Sequence, residues 1–219
     1  MPKSATAVFD AAFDINCQLC PRLAQHLIAV KTRKPGHICE PVPPFGDPKA
    51  RFLIVGLAPG EDGANRTGRP FTGDRCSDFL YGALHRAGFA SQPRSVSRDD
   101  AQRLLDCRIT NAVKCLPPGN KPELVEIRTC NRYLQTELQT SKPLKAIMAL
   151  GGVAHRAVIE AYGLKLKDYK FAHAARHVMP NGAVLFDSFH VSPLNTNTGR
   201  LTQADFDGLL VDIRKHLQA

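Results

Sequence analysis

The stretch RFLIVGLAPGEDGANRTGRPFTGD, Arg51–Asp74, changes character at residue 58. Its first eight residues, Arg51–Ala58, are short, nearly continuous and apolar, as expected of a strand covered on both faces of a parallel sheet. The rest is a loop whose recurring glycines let backbone come close to a ligand and take positive φ. Three more runs share the strand pattern: Cys107–Lys114 (CRITNAVK), Lys145–Leu150 (KAIMAL) and Ala183–Val191 (AVLFDSFHV). Helical patterns fall between and after them, at Ser77–Ala87, Pro122–Leu138, Val153–Tyr162 and Gln203–His216. Pro122 stands at a helix start with Glu123 and Glu126 in the first turns, and Thr202 is a natural N-cap for the last helix. Strands alternating with helices predict right-handed crossovers and a three-layer α/β/α sandwich around a central four-stranded parallel sheet. Ligands of such sheets bind at the carboxyl ends of the strands, which directs attention to loops beginning near Ala58, Lys114, Gly151 and Ser192.

Four cysteines frame these loops. Cys17 and Cys20 form a Cys-x-x-Cys pair, and Cys115 and Cys130 flank the stretch KCLPPGNKPELVEIRTC. The N-terminal residues MPKSATAVFDAAFDINC lack a secretion signal, so the expected compartment is the cytoplasm, where thiols stay reduced. A pair plus two distant singles then predicts a metal site assembled across the fold, and four thiolates suit either zinc or an iron–sulfur cluster. Cys39, Cys76 and Cys107 are read as non-ligands, with Cys39 as the spare thiol. No apolar run approaches the length needed to span a bilayer. The chain of 219 residues carries a formal net charge of +9, which favours a polyanionic partner.

Two loops hold the candidate chemistry. In the first, Phe71 and Asp74 put a flat ring beside a carboxylate, which suits a planar base next to a sugar. The loop matches neither the P-loop pattern nor the dinucleotide fingerprint. In the second, FHVSPLNTNTGRLT (Phe189–Thr202), His190 stands at a carboxyl strand end. A lone histidine is more often structural, but that position reverses the preference.

Read in order, GLAPG (Gly56–Gly60), NRTGRPFTGD (Asn65–Asp74), ITNAVKCLPPGNKP (Ile109–Pro122) and the His190–Thr202 stretch resemble the uracil-DNA glycosylase superfamily. They are specifically similar to its iron–sulfur branch, family 5 or type b. The likeness covers almost the whole chain and implies one domain over residues 1–219. It implies a monofunctional repair glycosylase, a monomer whose partner is DNA. Such an enzyme flips out and excises uracil, and also hypoxanthine, ethenocytosine or mismatched thymine, leaving an abasic site. It resolves the metal question towards a structural 4Fe–4S cluster on Cys17, Cys20, Cys115 and Cys130. Lys114 and Lys121 would then present charge to phosphates.

The roles that follow from chemistry and resemblance are these. His190 donates to the carbonyl oxygen of the departing base, and Phe71 stacks on that base. Asn111 reads a pyrimidine edge with its donor and acceptor, unless it is merely a strand-end residue. Leu194 wedges into the base stack, and Ser192, Asn195 and Arg200 meet the backbone. Gly56, Ala58 and Gly60 bring main chain close to the substrate. Better-known branches carry an Asp where this chain has Ala58, and family 4 carries Glu where it has Leu57. Asp74 is the replacement carboxylate, unless it only caps the helix near Ser77. Gly60 stands where a bulky Tyr would exclude the thymine methyl. Competing readings are a family 4-like enzyme restricted to uracil and a non-catalytic iron–sulfur nucleic-acid binder. A third is a zinc-stapled hydrolase, for which no Gly-x-Ser-x-Gly elbow exists.

Overall fold

A computed structural model describes residues 13–140 and 144–218. The first twelve residues, on which part of the secretion-signal reading rests, lie outside the described residues.

The expected four-stranded sheet has six strands. β1 (Phe45–Gly46), β2 (Phe52–Gly56), β3 (Cys107–Asn111), β4 (Ala146–Leu150), β5 (Arg176–Val178) and β6 (Val184–Ser188) lie in the order β1-β3-β2-β4-β6-β5. Pairs β3–β2, β2–β4 and β4–β6 are parallel, whereas β1 and β5 add short antiparallel edges. Neither edge carries an apolar run, and both are partly exposed, so periodicity gave no sign of them. The strands β2, β3 and β4 are buried along their whole length.

Residues alternate across the sheet as the pleat requires. Leu53, Val55, Ile147 and Ala149 pack under α1 (Pro21–Arg33), α4 (Leu124–Thr140) and α5 (Gly152–Ala161). Phe52, Ile54, Met148 and Phe186 pack under α3 (Arg75–Arg86) and α7 (Gln203–Gln218). Two short helices, α2 (Ala64–Thr67) and α6 (Pro193–Asn197), sit in the loops after β2 and β6. Helix α1 escaped the sequence reading, although Leu23, Leu27 and Val30 mark a buried stripe at helical spacing. Cys20 stands at its N-cap and Pro21 opens its first turn.

From β2 the chain steps to β3 on one side, then crosses back to β4 on the other. The carboxyl end of β2 is therefore a topological switch point, where the flanking loops diverge and leave a crevice.

One buried ion pair pins the loop above that crevice. Arg69 Nη2 lies 2.6 Å from Asp100 Oδ1, with side chains 5% and 10% exposed. The same guanidinium donates to Thr72 Oγ1, Ser95 Oγ and the Arg98 carbonyl. Burial pushes the Asp100 carboxyl up, but Arg69 and the N–H groups of Gln102, Val96 and Ser97 outweigh it and hold it down at about 2. A depressed folded-state value stabilises above the unfolded value and is lost as pH falls through the folded one. This contribution therefore disappears between about pH 4 and pH 2. Asp100→Asn should destabilise the protein by about 3 kcal/mol, because it strands a buried guanidinium. Urea unfolding at pH 7 checks this, and a loss within ~0.5 kcal/mol would show the pair to be dispensable.

Candidate active site

A cavity of roughly 370 Å³ opens at the switch point. Ala58, Gly60, Phe71, Asp74, Asn111, His190 and Ser192, singled out from separate sequence segments, all line it. The loop after β2, the end of β3 and the loop after β6 deliver them.

Gly56 works from beneath. A β-carbon there would collide with Asn111 Oδ1 and come within 2.6 Å of the Phe71 ring. Its contribution is the space that lets those two side chains sit side by side, and it does not itself line the cavity. Phe71 is 8% exposed, and its backbone holds φ 47. A bulky residue at positive φ is strained and persists only where its surroundings fix it. Here the pinned Arg69 immediately precedes the turn. Asn111 is 2% exposed, and its Oδ1 has no hydrogen-bond partner. An unpaired buried amide oxygen costs free energy that a ligand donor could recover.

The two oxygens of Asp74 face different surroundings. Oδ1 accepts from the Ser77 N–H at 2.9 Å, and the Ser77 hydroxyl closes a capping box at the start of α3. Oδ2 faces the glycines of the loop: it would lie 3.4 Å from a β-carbon on Gly60 and would overlap one on Gly63. Burial pushes the Asp74 carboxyl up, against the Ser77 and Cys76 N–H groups, which lower it. Capping and chemistry are thus compatible rather than alternatives.

The His190 ring lies 6.2 Å from that of Phe71, centroid to centroid, at 34°. Its main-chain carbonyl accepts 2.8 Å from Asn195 Nδ2, so Asn195 fixes the histidine backbone from outside the cavity. Leu194 projects from α6 with 75% exposure, next to the cavity-lining Pro193. Arg200 lies over the Phe189 ring at 4.4 Å.

Other lining residues were missed. Glu61 and Asp62, inside the glycine-rich loop, are gripped by the end of α1: Lys34 Nζ lies 2.9 Å from Glu61 Oε1 and 2.5 Å from Asp62 Oδ1. Asn120 and Cys76 also reach the cavity. Burial, then the neighbouring Asp74, pushes the Cys76 thiol up to about 12. Cys39 is buried and accepts from Asn65 Nδ2, so it is not an accessible spare thiol.

Cys17, Cys20, Cys115 and Cys130 line one small recess on the far side of β3's loop, together with Lys114 and Tyr133. Burial first, then the other thiols, pushes Cys115 up to about 12. Burial likewise raises Cys130 to about 11, with Lys114 opposing. The Lys114 N–H donates to Cys130 Sγ at 3.3 Å. The Lys114 side chain corrects an expectation: it is 1% exposed, bonded to Thr110 Oγ1 and 3.8 Å from Glu137. The buried Thr110 hydroxyl and Glu137 carboxylate hold its ammonium inward, so it cannot present charge to a phosphate. Arg22 of α1 forms a two-pronged contact with Glu126 of α4 and also donates to the Lys121 carbonyl in the loop before it.

Residues 43–214 match the family model described as the uracil DNA glycosylase superfamily. A type-5 uracil-DNA glycosylase of Thermus thermophilus is 44% identical over 204 residues, covering 91% of this chain and 93% of that protein. One from Mycobacterium leprae is 41% identical over 207 residues, covering 91% and 90%. A type-4 uracil-DNA glycosylase of Pyrobaculum aerophilum is 35% identical over 159 residues, covering 71% and 67%. The crystal structure of Pedobacter heparinus SMUG2 superposes with TM-score 0.50 at 14% identity, covering 78% of this chain and 77% of that one, which is a likeness of fold.

Burial lowers His190 to about 4, so the ring is neutral at physiological pH. A depressed base favours the unfolded state in acid, where the free imidazole binds a proton first. Nitrogen-detected NMR should find the His190 ring neutral at pH 5.5, and a titration midpoint above 6 would contradict this geometry.

Proposed function

This chain belongs to the uracil-DNA glycosylase superfamily, on its type-5 branch, and we propose how its cavity performs the excision. It is a DNA repair glycosylase that removes uracil by hydrolysing the N-glycosidic bond. The base in a duplex is out of reach, so it must be flipped into the cavity at a cost of a few kcal/mol. Leu194, exposed beside the cavity mouth, is placed to fill the vacancy in the stack.

The observation that carries the mechanism is the convergence of Asp74, Asn111 and His190 on one cavity. Cleavage develops negative charge on the leaving base and positive charge on the sugar, so the site must meet both. The neutral His190 ring keeps one N–H, which donates to the base carbonyl and stabilises the negative charge that develops there. The unpartnered amide of Asn111 offers a donor and an acceptor to the pyrimidine edge, and Phe71 supplies a stacking face. Asp74 Oδ2 accepts from the attacking water or stabilises the sugar cation, while Oδ1 keeps the carboxylate fixed by capping α3. Ser192, which lines the cavity, is assigned to the backbone of the flipped nucleotide.

Gly60 leaves the cavity wall beside Asp74 bare. We extend the substrates from uracil to larger or altered bases in double-stranded DNA, including hypoxanthine, ethenocytosine and mismatched thymine.

The four thiols fit an iron–sulfur cluster better than zinc. A tetrahedral zinc with Zn–S of about 2.3 Å sets its sulfurs roughly 3.8 Å apart. Among the described residues, the group whose ligand atoms all fall within 4.8 Å of one another is His155, His177 and Asp187, and the cysteines form none. A 4Fe–4S cluster bound by Cys17, Cys20, Cys115 and Cys130 would supply structure, binding α1 to the loop between β3 and α4. This chain's own Arg22–Glu126 contact already works in that direction.

Two experiments test the reading. Single-turnover cleavage of oligonucleotides carrying different lesions should fall about 100-fold or more in Asp74→Asn. Gly60→Tyr should spare uracil and lose ~10-fold or more on the larger bases. Wild-type rates on uracil in Asp74→Asn would remove the carboxylate from the chemistry, and intact activity of Gly60→Tyr on large bases would refute the pocket account. Protein purified without air should be brown and hold about four irons per chain, fewer in Cys20→Ser. A colourless protein with stoichiometric zinc would replace the cluster assignment.

A further inference from the structure

A second set of metal-type donors meets where α5, β5 and β6 join, away from the cavity. His155 comes from α5, His177 from β5 and Asp187 from β6, and one ligand atom of each lies within 4.8 Å of the others. Asp187 is fully buried and His155 is 1% exposed, while the His177 side chain is 15% exposed.

Hydrogen bonding leaves this cluster short of positive charge. His155 Nε2 lies 2.9 Å from the Tyr169 carbonyl oxygen, which can only accept, so Nε2 carries the hydrogen. In a neutral ring Nδ1 is then a lone pair, yet it lies 2.8 Å from Asp187 Oδ1, another acceptor. Asp187 Oδ2 and His177 Nε2 are both buried without a hydrogen-bond partner. They stand 3.3 Å apart without the alignment of a hydrogen bond. A proton on His155 Nδ1 would answer the first contact and leave the other two atoms orphaned. One cation answers all three.

We propose that His155 Nδ1, the Asp187 carboxylate and His177 Nε2 bind a divalent transition-metal ion, zinc by the nature of the donors. Zinc bonds to nitrogen and oxygen of about 2.0–2.2 Å set tetrahedral ligand atoms roughly 3.3 Å apart, which is the separation of Asp187 Oδ2 and His177 Nε2, so Oδ2 is the ligand oxygen and the 2.8 Å contact of His155 Nδ1 with Oδ1 opens when the ion enters. The Nε2–H of His155 on a main-chain carbonyl is the outer support that metal-bound imidazoles use. The nitrogen–oxygen set is chemically distinct from the four-thiol site and selects different metals. The ion would tie the edge strand β5 to α5 and β6, three residues before His190 in the chain. It is structural, and its test is independent of activity.

Cobalt(II) titration of the cluster-loaded protein provides the test, followed by zinc in a thermal melt. One equivalent should bind with the visible bands of a tetrahedral nitrogen–oxygen site and no thiolate-to-metal charge transfer. Zinc should raise Tm by ~3 °C or more. Both effects should vanish in His177→Ala and in the bulkier His177→Gln, two substitutions at a partly exposed edge position. No binding by the wild type, binding undiminished in the His177 variants, or a thiolate charge-transfer band would each overturn the proposal. The three side chains would then be a metal-free hydrogen-bonded cluster.

Discussion

At the carboxyl end of β2, the side chains of Asn111 and Phe71 occupy the volume that a β-carbon on Gly56 would need. Gly56 is paired with Asn111 in the parallel ladder, so backbone hydrogen bonds fix their separation. The parallel register and the missing side chain together set how close the amide of Asn111 comes to the ring of Phe71. The rest of the cavity is arranged around that contact. Arg69 and Asp100 hold the Phe71 turn from one side, and Asn195 holds the His190 backbone from another. The candidate groups thus come from two loops and one strand end, with the Phe71 turn bonded to a neighbouring loop and the His190 backbone held by a bond within its own loop.

The two acidic functions of the β2 loop are handled differently. Asp74 is half-buried with its carboxyl pushed up by burial, and one oxygen is committed to the N-terminus of α3. A helix N-terminus favours the ionised form, which offsets part of the burial penalty. Glu61 and Asp62 lie on the more open rim, where Lys34, Arg33 and His37 surround them. The Lys34 hydrogen bonds lower both carboxyls, against a smaller opposing effect of burial. Neutralising these carboxylates matters for a cavity that must accept a polyanion.

Helix α1 links this rim to the cysteines. Its N-cap is Cys20, and its far end carries Arg33 and Lys34. Arg22, in the first turn of the helix, grips Glu126 of α4. Anything that holds the cysteine recess together therefore also places the cations that flank Glu61 and Asp62. Exposed ion pairs of this kind contribute little stability individually, so the helix, rather than the pairs, carries the positional information.

The parallel core of the sheet was legible in sequence, because strands buried on both faces read as unbroken apolar runs such as FLIVG in β2. Asp74, Asn111 and His190, which the structure brings to one cavity, could be singled out because two stand near the ends of such runs and the third closes the loop after one. The edge strands β1 and β5 were not, because partly exposed two- and three-residue pairings leave no period to detect. Local pattern also could not foresee that Lys114 turns inward to Thr110 and Glu137, or that Gly56 acts by leaving room. Nor could it join His155, His177 and Asp187, which lie on three separate elements. Sequence determined which segments become the four parallel core strands and which residue types stand near their ends. The tertiary structure alone decided which of those residues share a cavity, because distance across a sheet depends on strand order, and strand order is set by packing between segments remote in the chain.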